Sequence, residues 1–177
     1  HYYNPVGESR SFNVIVGKTY SPTPILTSEI NRIVANPYWT VPKSITFNEF
    51  IPKIKKDSLY LQKHGYSVID KFENPVDASQ IDWKNINRNE FNYWIRQPNS
   101  AGNALGAVKF LFPNKYSVYL HDTQSKRLFN RNIRAFSHGC VRVQNPEELA
   151  QFILEDYYTS KNGKNINFKN LVRKKDR

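Results

Sequence analysis

From Phe12 to Val16 apolar residues alternate loosely with others and stop at Gly17-Lys18, a period-two pattern that predicts an early strand. Ser21-Pro22-Thr23-Pro24 then reads as a stiff connection. Between Glu29 and Trp39 the mixture of Ile30, Ile33, Val34, Tyr38 and Trp39 with Pro37 predicts a strand ending in an irregular turn. Thr46-Phe47-Asn48-Glu49 has capping-box spacing, and Phe47, Phe50, Ile51 and Ile54 recur at helical spacing. A helix is therefore expected to start at Thr46, with Pro52 near its first turns. A second short helical stretch ends at His64-Gly65, Tyr66 to Ile69 reads as a strand, and Asn74 to Asn92 is polar with scattered aromatics. That last segment predicts a long irregular excursion, uncommon unless functional.

Tyr93-Trp94-Ile95, Val108 to Phe112 and Tyr116 to Leu120 are rich in aromatic and β-branched residues. With Pro113-Asn114-Lys115 as the turn, the last two predict a hairpin that runs straight into His121. Asn145-Pro146-Glu147-Glu148 offers a cap, a first-turn proline and two acids, and Leu149, Phe152 and Ile153 form one apolar stripe. This helix is expected to pack behind the region of Cys140. No internal repeat is present.

A length of 177 residues suits one domain, or one domain with a sizeable insertion, and is ample for a real core. An aromatic fraction of 14% against a charged fraction of 23%, without biased segments, excludes disorder and fibrous repeats. The net charge of +11 is uneven, because Lys161 to Arg177 holds seven basic residues against Asp176. Such a surface attracts nucleic acid, anionic lipid or acidic wall polymers without choosing among them, and the tail itself reads as a solvated, partly frayed terminus. No nucleic-acid motif for stacking or groove reading is present, so no nucleic-acid partner is expected. No run approaches the roughly 18 apolar residues of a membrane span. A chain that starts at His1 rather than methionine reads as a piece of a longer or processed protein.

The single cysteine excludes an internal disulfide and leaves two readings, a small buried hydrophobe or a reactive thiol. Its neighbours favour the second. Ser137-His138-Gly139-Cys140-Val141-Arg142 places the thiol after a glycine that permits a tight turn, exposing sulfur and aiming backbone N–H groups at one point. His121 lies at the end of the predicted hairpin, with fifteen residues before Ser137, enough to return the chain so that imidazole and thiol meet. Such an imidazole serves as general base or ion-pair partner for acyl transfer. N–H donors of the Gly139–Cys140 turn would stabilise the tetrahedral species, each by about 3 kcal/mol. His138 is assigned substrate contact or support of the turn. Zinc is the rival for His121, His138 and Cys140, but no second cysteine or Cys-x-x-Cys supports it, so no metal is expected.

His121, the gap of fifteen and Ser137-His138-Gly139-Cys140 followed by an apolar residue resemble the signature of the L,D-transpeptidase catalytic domain. The likeness extends to Val16-Gly17-Lys18 with Thr23-Pro24, Asn36-Pro37-Tyr38-Trp39 with Val41-Pro42, Arg96-Gln97-Pro98, Asn103-Ala104-Leu105-Gly106, and Phe112-Pro113-Asn114 running into Tyr119-Leu120-His121-Asp122-Thr123. Together they are similar to the larger Gram-negative branch, which carries a lid insertion. The general pattern has asparagine two residues after the cysteine. This chain has Arg142, either for a substrate carboxylate or for an acid of the protein.

The resemblance implies a mainly β fold with flanking helices (α+β), sandwich-like, spanning 1–177 with a partly helical lid at about 45–99. It implies Cys140 as nucleophile, His121 as base, and Ser137, His138, Gly139 and Arg142 around the oxyanion and substrate. The expected substrate is a peptidoglycan tetrapeptide stem attacked at diaminopimelate, with loss of D-alanine and transfer to an amine to form 3-3 cross-links that bear on cell shape. Carbapenems are expected inhibitors, the location is expected to be the periplasm, and no cofactor is implied. Two alternatives stay open: hydrolysis of the same acyl-enzyme, as an L,D-carboxypeptidase or amidase, and a non-catalytic wall-binding module. His64 and the Tyr and Trp residues of the insertion have two readings, lining of the donor groove and ordinary packing, of which packing is the one adopted.

Overall fold

The computed structural model describes residues 1–4, 7–161 and 167–173. In chain order these form β1 (Tyr2–Tyr3), β2 (Ser9–Arg10), β3 (Val14–Gly17), β4 (Arg32–Ala35), β5 (Trp39–Thr40), α1 (Lys43–Ile45), α2 (Ile51–Lys56), α3 (Tyr60–Lys63), β6 (Ser67–Ile69) and β7 (Pro75–Val76). There follow β8 (Trp94–Gln97), β9 (Val108–Leu111), β10 (Leu120–His121), β11 (Ala135–Ser137), β12 (Val141–Val143), α4 (Pro146–Lys161) and α5 (Phe168–Arg173). The fold is mainly β with flanking helices. Most of the basic tail expected to be solvated lies outside the described residues, and no helix among them is long and apolar enough to cross a membrane.

The chain divides into two compact units, His1–Pro37 with Ala104–Arg177, and Tyr38–Asn103. The first holds a six-stranded mixed sheet in the order β11-β3-β12-β10-β9-β4. Its two faces follow from strand alternation. Leu120 pairs with Phe110 and Val141, Val143 with Val14, Ile33 with Phe110 and Ala35 with Val108. These positions form one apolar face, and Leu149, Ala150 and Phe168 of α4 and α5 pack with Val108, Phe110 and Val143 there. Intervening positions point the other way: His121 is opposite both Lys109 and Arg142, and Arg142 is opposite Ile15. Thus α4 does pack behind the Cys140 region, on the reverse of the sheet.

The second unit holds the antiparallel sheet β5-β8-β6-β7. Its core joins Val41, Phe50, Ile54, Leu61, Val68 and Ile95, with Trp39, Tyr60, Tyr66, Trp83 and Tyr93 packed against them. These aromatics are therefore packing residues, as in the edge-on Phe50–Tyr66 pair with centroids 5.0 Å apart, whereas Phe72 of the same segment is exposed.

Several expectations need correction. The helix begins at Lys43, not at Thr46: the Thr46 N–H already donates to the Pro42 carbonyl at 2.9 Å, and the Thr46 side chain is buried rather than capping. A wider π turn spans Thr46–Phe50 and ends where Pro52, which has no N–H, sits at the start of α2. The hairpin into His121 exists, but its second arm is only Leu120–His121. Asn114 explains the shortening, since its side chain binds the N–H groups of Tyr116 and Val118 and the carbonyl of Val118, holding this stretch as a wide turn. The excursion from Asn74 to Asn92 contains the short strand β7 and a 3-10 turn at Ala78–Gln80.

Candidate active site

Strands β11 and β12 flank β3 on either side, so His138, Gly139 and Cys140 carry the chain across its end. Gly139 has φ +113, a conformation that side chains rarely adopt. An added Cβ would meet nothing closer than Val118 at 3.6 Å, so backbone conformation rather than space calls for glycine. Two hydroxyls pin the turn. Ser137 Oγ accepts the Gly139 N–H at 3.2 Å and donates to the Cys140 carbonyl. Thr23 Oγ1 accepts the Gly17 N–H at 2.9 Å and donates to the Gly139 carbonyl at 2.9 Å. Gly17 makes that possible, because a Cβ there would lie 2.2 Å from the Ser21 carbonyl oxygen.

Parallel pairing of β10 with β12 sets Leu120 opposite Val141 and His121 opposite Arg142. Cys140, two residues before Arg142, therefore falls on the face that carries His121. Tyr119 joins them: its carbonyl accepts the Val141 N–H at 3.0 Å, its ring centroid is 5.6 Å from that of His121, and its backbone and hydroxyl hydrogen-bond to the Cys140 sulfur. Lys109, opposite His121, holds its ammonium 6.0 Å from the centroid of the Tyr119 ring.

His121 is buried, and its Nδ1 bonds to the Asp122 carbonyl oxygen. A carbonyl only accepts, so Nδ1 carries the proton and Nε2 is the basic nitrogen. Burial pushes His121 down to about 4; the bond to Asp122 opposes this and the Arg142 charge adds to it. Burial also raises Cys140 above the usual thiol range, against the hydrogen bonds from Tyr119 and the charge of Arg142. Arg142 is lowered by burial, with the Cys140 thiolate opposing. Among the described residues Arg142 pairs with no carboxylate.

Asp122 is itself buried. Its carboxylate accepts from Ala107 N at 2.9 Å, from Thr123 N at 2.7 Å and from the Lys126 ammonium. Gly106, at φ +60, lets that carboxylate approach so closely that an added Cβ would lie 2.2 Å from its Oδ2.

Of the residues singled out in the sequence, Cys140, His121 and Arg142 thus share one sheet face, Ser137 and Gly139 shape the turn, and His138 is exposed. Tyr119, Thr23 and Asp122 carry part of the resemblance but were given no role at the site. Tyr119 lies just before β10 and two residues from His121, and that spacing is the signal that would have found it. Thr23 acts across a separation of 116 residues, which no local pattern reveals. No group of three or more His, Cys, Asp or Glu among the described residues is placed to hold a metal ion.

Residues 2–164 match the model of the L,D-transpeptidase catalytic domain, the YkuD family. The chain belongs to this family. It is also 41% identical over 143 residues to a Haemophilus influenzae protein named "Putative L,D-transpeptidase", a match that covers 81% of this chain and 29% of that protein. The chain therefore spans less than a third of the length of this relative.

Proposed function

We propose that this domain is a peptidoglycan L,D-transpeptidase in which Cys140 is the nucleophile and His121 its base. The observation that carries the reading is the tautomer of His121: in a chain of this family, Nδ1 is tied to the Asp122 carbonyl and Nε2 is free to take a proton on the face shared with Cys140. With His121 held neutral and Cys140 held as a thiol, a resting ion pair is disfavoured. The thiol proton passes to Nε2 as sulfur attacks, which is general-base catalysis.

Sulfur adds to the carbonyl of diaminopimelate at the third stem position. The tetrahedral species collapses by breaking the bond to the terminal D-alanine, whose amine takes the proton from His121. The thioester is then attacked by the amine of a second stem. His121 accepts the amine proton, sulfur leaves as thiolate and regains that proton, and a 3-3 cross-link is formed. Gly139 N–H is already engaged by Ser137, so Cys140 N–H is the turn's donor for the oxyanion. Arg142, which has no acidic partner among the described residues, is assigned to a substrate carboxylate. His138 is assigned substrate contact, the segment at about 45–99 the lid, the periplasm the site of action, and carbapenems the role of acylating inhibitors.

The test is mass spectrometry of products after incubation with purified disaccharide-tetrapeptide, with Cys140→Ala as control. A Cys140-dependent cross-linked dimer lacking one D-alanine is expected. Tripeptide alone would replace transpeptidation with hydrolysis, and no product with an unmodified thiol would remove the enzymatic reading.

A further inference from the structure

We propose that Thr23 is a positioning residue that aims the Cys140 N–H at the oxyanion by holding the carbonyl of Gly139; the proposal rests on the functional reading above. The Gly139–Cys140 peptide is trans and planar, so its C=O and N–H point in opposite directions. Anchoring one fixes the other. Thr23 Oγ1 donates to that carbonyl at 2.9 Å, and this hydroxyl is itself oriented by accepting the Gly17 N–H at 2.9 Å. A hydroxyl has one proton to give, and the Gly17 N–H occupies an accepting side of the oxygen, so the proton goes to Gly139.

Glycine at 139 makes the anchor necessary. At φ +113 no side chain restrains this residue, and a Cβ would find no neighbour nearer than 3.6 Å. Ser137 holds the peptide before Gly139 through its N–H and the one after Cys140 through its carbonyl. The peptide between them has Thr23. When sulfur attacks a carbonyl, the C–O π pair moves onto oxygen, and Cys140 N–H must already face it to stabilise the charge. Of the two hydrogen bonds of the Thr23 hydroxyl, the one to Gly139 reaches the turn, and through that peptide Thr23 acts on the oxyanion.

The test compares Thr23→Val and Thr23→Ser with the wild-type domain in three assays: turnover of disaccharide-tetrapeptide, acylation of Cys140 by a carbapenem, and alkylation of Cys140 by iodoacetamide. Alkylation displaces iodide at a saturated carbon and forms no oxyanion, so it reads the thiol alone. For Thr23→Val, kcat and acylation are expected to fall about a hundredfold with KM within about threefold, while alkylation keeps its rate and pH profile. Thr23→Ser, which keeps the hydroxyl, restores turnover. If Thr23→Val does not fold, Thr23→Ala replaces it; if neither folds, the hydroxyl serves the fold and the proposal fails. Unchanged kcat, or equal losses in alkylation and turnover, also overturns it. A wild-type domain that is alkylated but neither acylated nor active overturns the functional reading itself, and this inference with it.

Discussion

At Cys140 two effects oppose one another. Burial favours the neutral thiol, while the Tyr119 hydrogen bonds and the Arg142 charge favour the thiolate. A hydrogen bond to a charged acceptor counts for more than one to a neutral group, so the Tyr119 hydroxyl matters most at the moment the proton leaves sulfur. Tyr119→Phe keeps the ring beside His121 and removes only that donor. The alkylation profile of Cys140 is expected to move upward in pH, with melting temperature nearly unchanged. A profile superimposed on wild type would deny the tyrosine any hold on the sulfur. His121 needs no such help, since its tautomer is set by a backbone carbonyl that no side-chain change at 122 removes.

At the scale of elements, the six-stranded sheet separates stability from chemistry by face. Leu120, Val141 and Val143 turn toward α4 and α5, while His121 and Arg142 turn away from them. A one-residue slip of β10 against β12 would bury the imidazole among the apolar side chains and expose Leu120. What guards the register at the end of β10 is the knot of Asp122 with Ala107, Thr123 and Lys126, admitted by Gly106. Gly106→Ala meets both a left-handed φ of +60 and a Cβ 2.2 Å from a carboxylate too well tied to move. A loss of roughly 2–4 kcal/mol in urea unfolding is expected, with turnover falling alongside it as His121 shifts. Gly65→Ala is the comparison: its φ is +67 but nothing lies within 4 Å, so about 1 kcal/mol is expected. Similar costs at the two sites would mean that the Asp122 contact constrains nothing.

These elements also mark how far the sequence can be read. Loose alternation located β3, aromatic and β-branched richness located β9, and a cap followed by an apolar stripe located the helix after Asn145. The Cys140 motif declared its turn through Gly139. By contrast, the start of α1 was misread because Thr46-Phe47-Asn48-Glu49 satisfies a local rule while the Thr46 side chain is in fact buried. The pairing of β10 with β12 joins residues about twenty apart in parallel, and Thr23 with Gly139 is longer still. Local periodicity has no access to either.

For the molecule as a whole, the ionisable groups divide between the two units. The displaced carboxylates Asp57, Asp70, Glu73, Asp77 and Asp82 are all in Tyr38–Asn103, are exposed or half-buried, and lie below their usual range. His121 belongs to the other unit and is buried. Its folded value of about 4 is below the ordinary 6.5, so between these the unfolded chain binds the proton that the folded chain refuses. Its contribution to stability is complete above pH 6.5, declines as pH falls through that window, and is gone near pH 4, a difference of roughly 3 kcal/mol. The carboxylates lose their contributions only at lower pH, below their ordinary values of 3.8 to 4.5. All three tryptophans, Trp39, Trp83 and Trp94, report on Tyr38–Asn103, whereas Cys140 reports on the unit that holds His121. Urea unfolding followed by Cys140 labelling should therefore lose midpoint between pH 7 and pH 5, and His121→Gln should abolish that loss because its amide does not titrate there. A wild-type midpoint that stays level across this window would mean that the folded domain binds the proton as readily as the unfolded chain, and that burial does not hold His121 neutral.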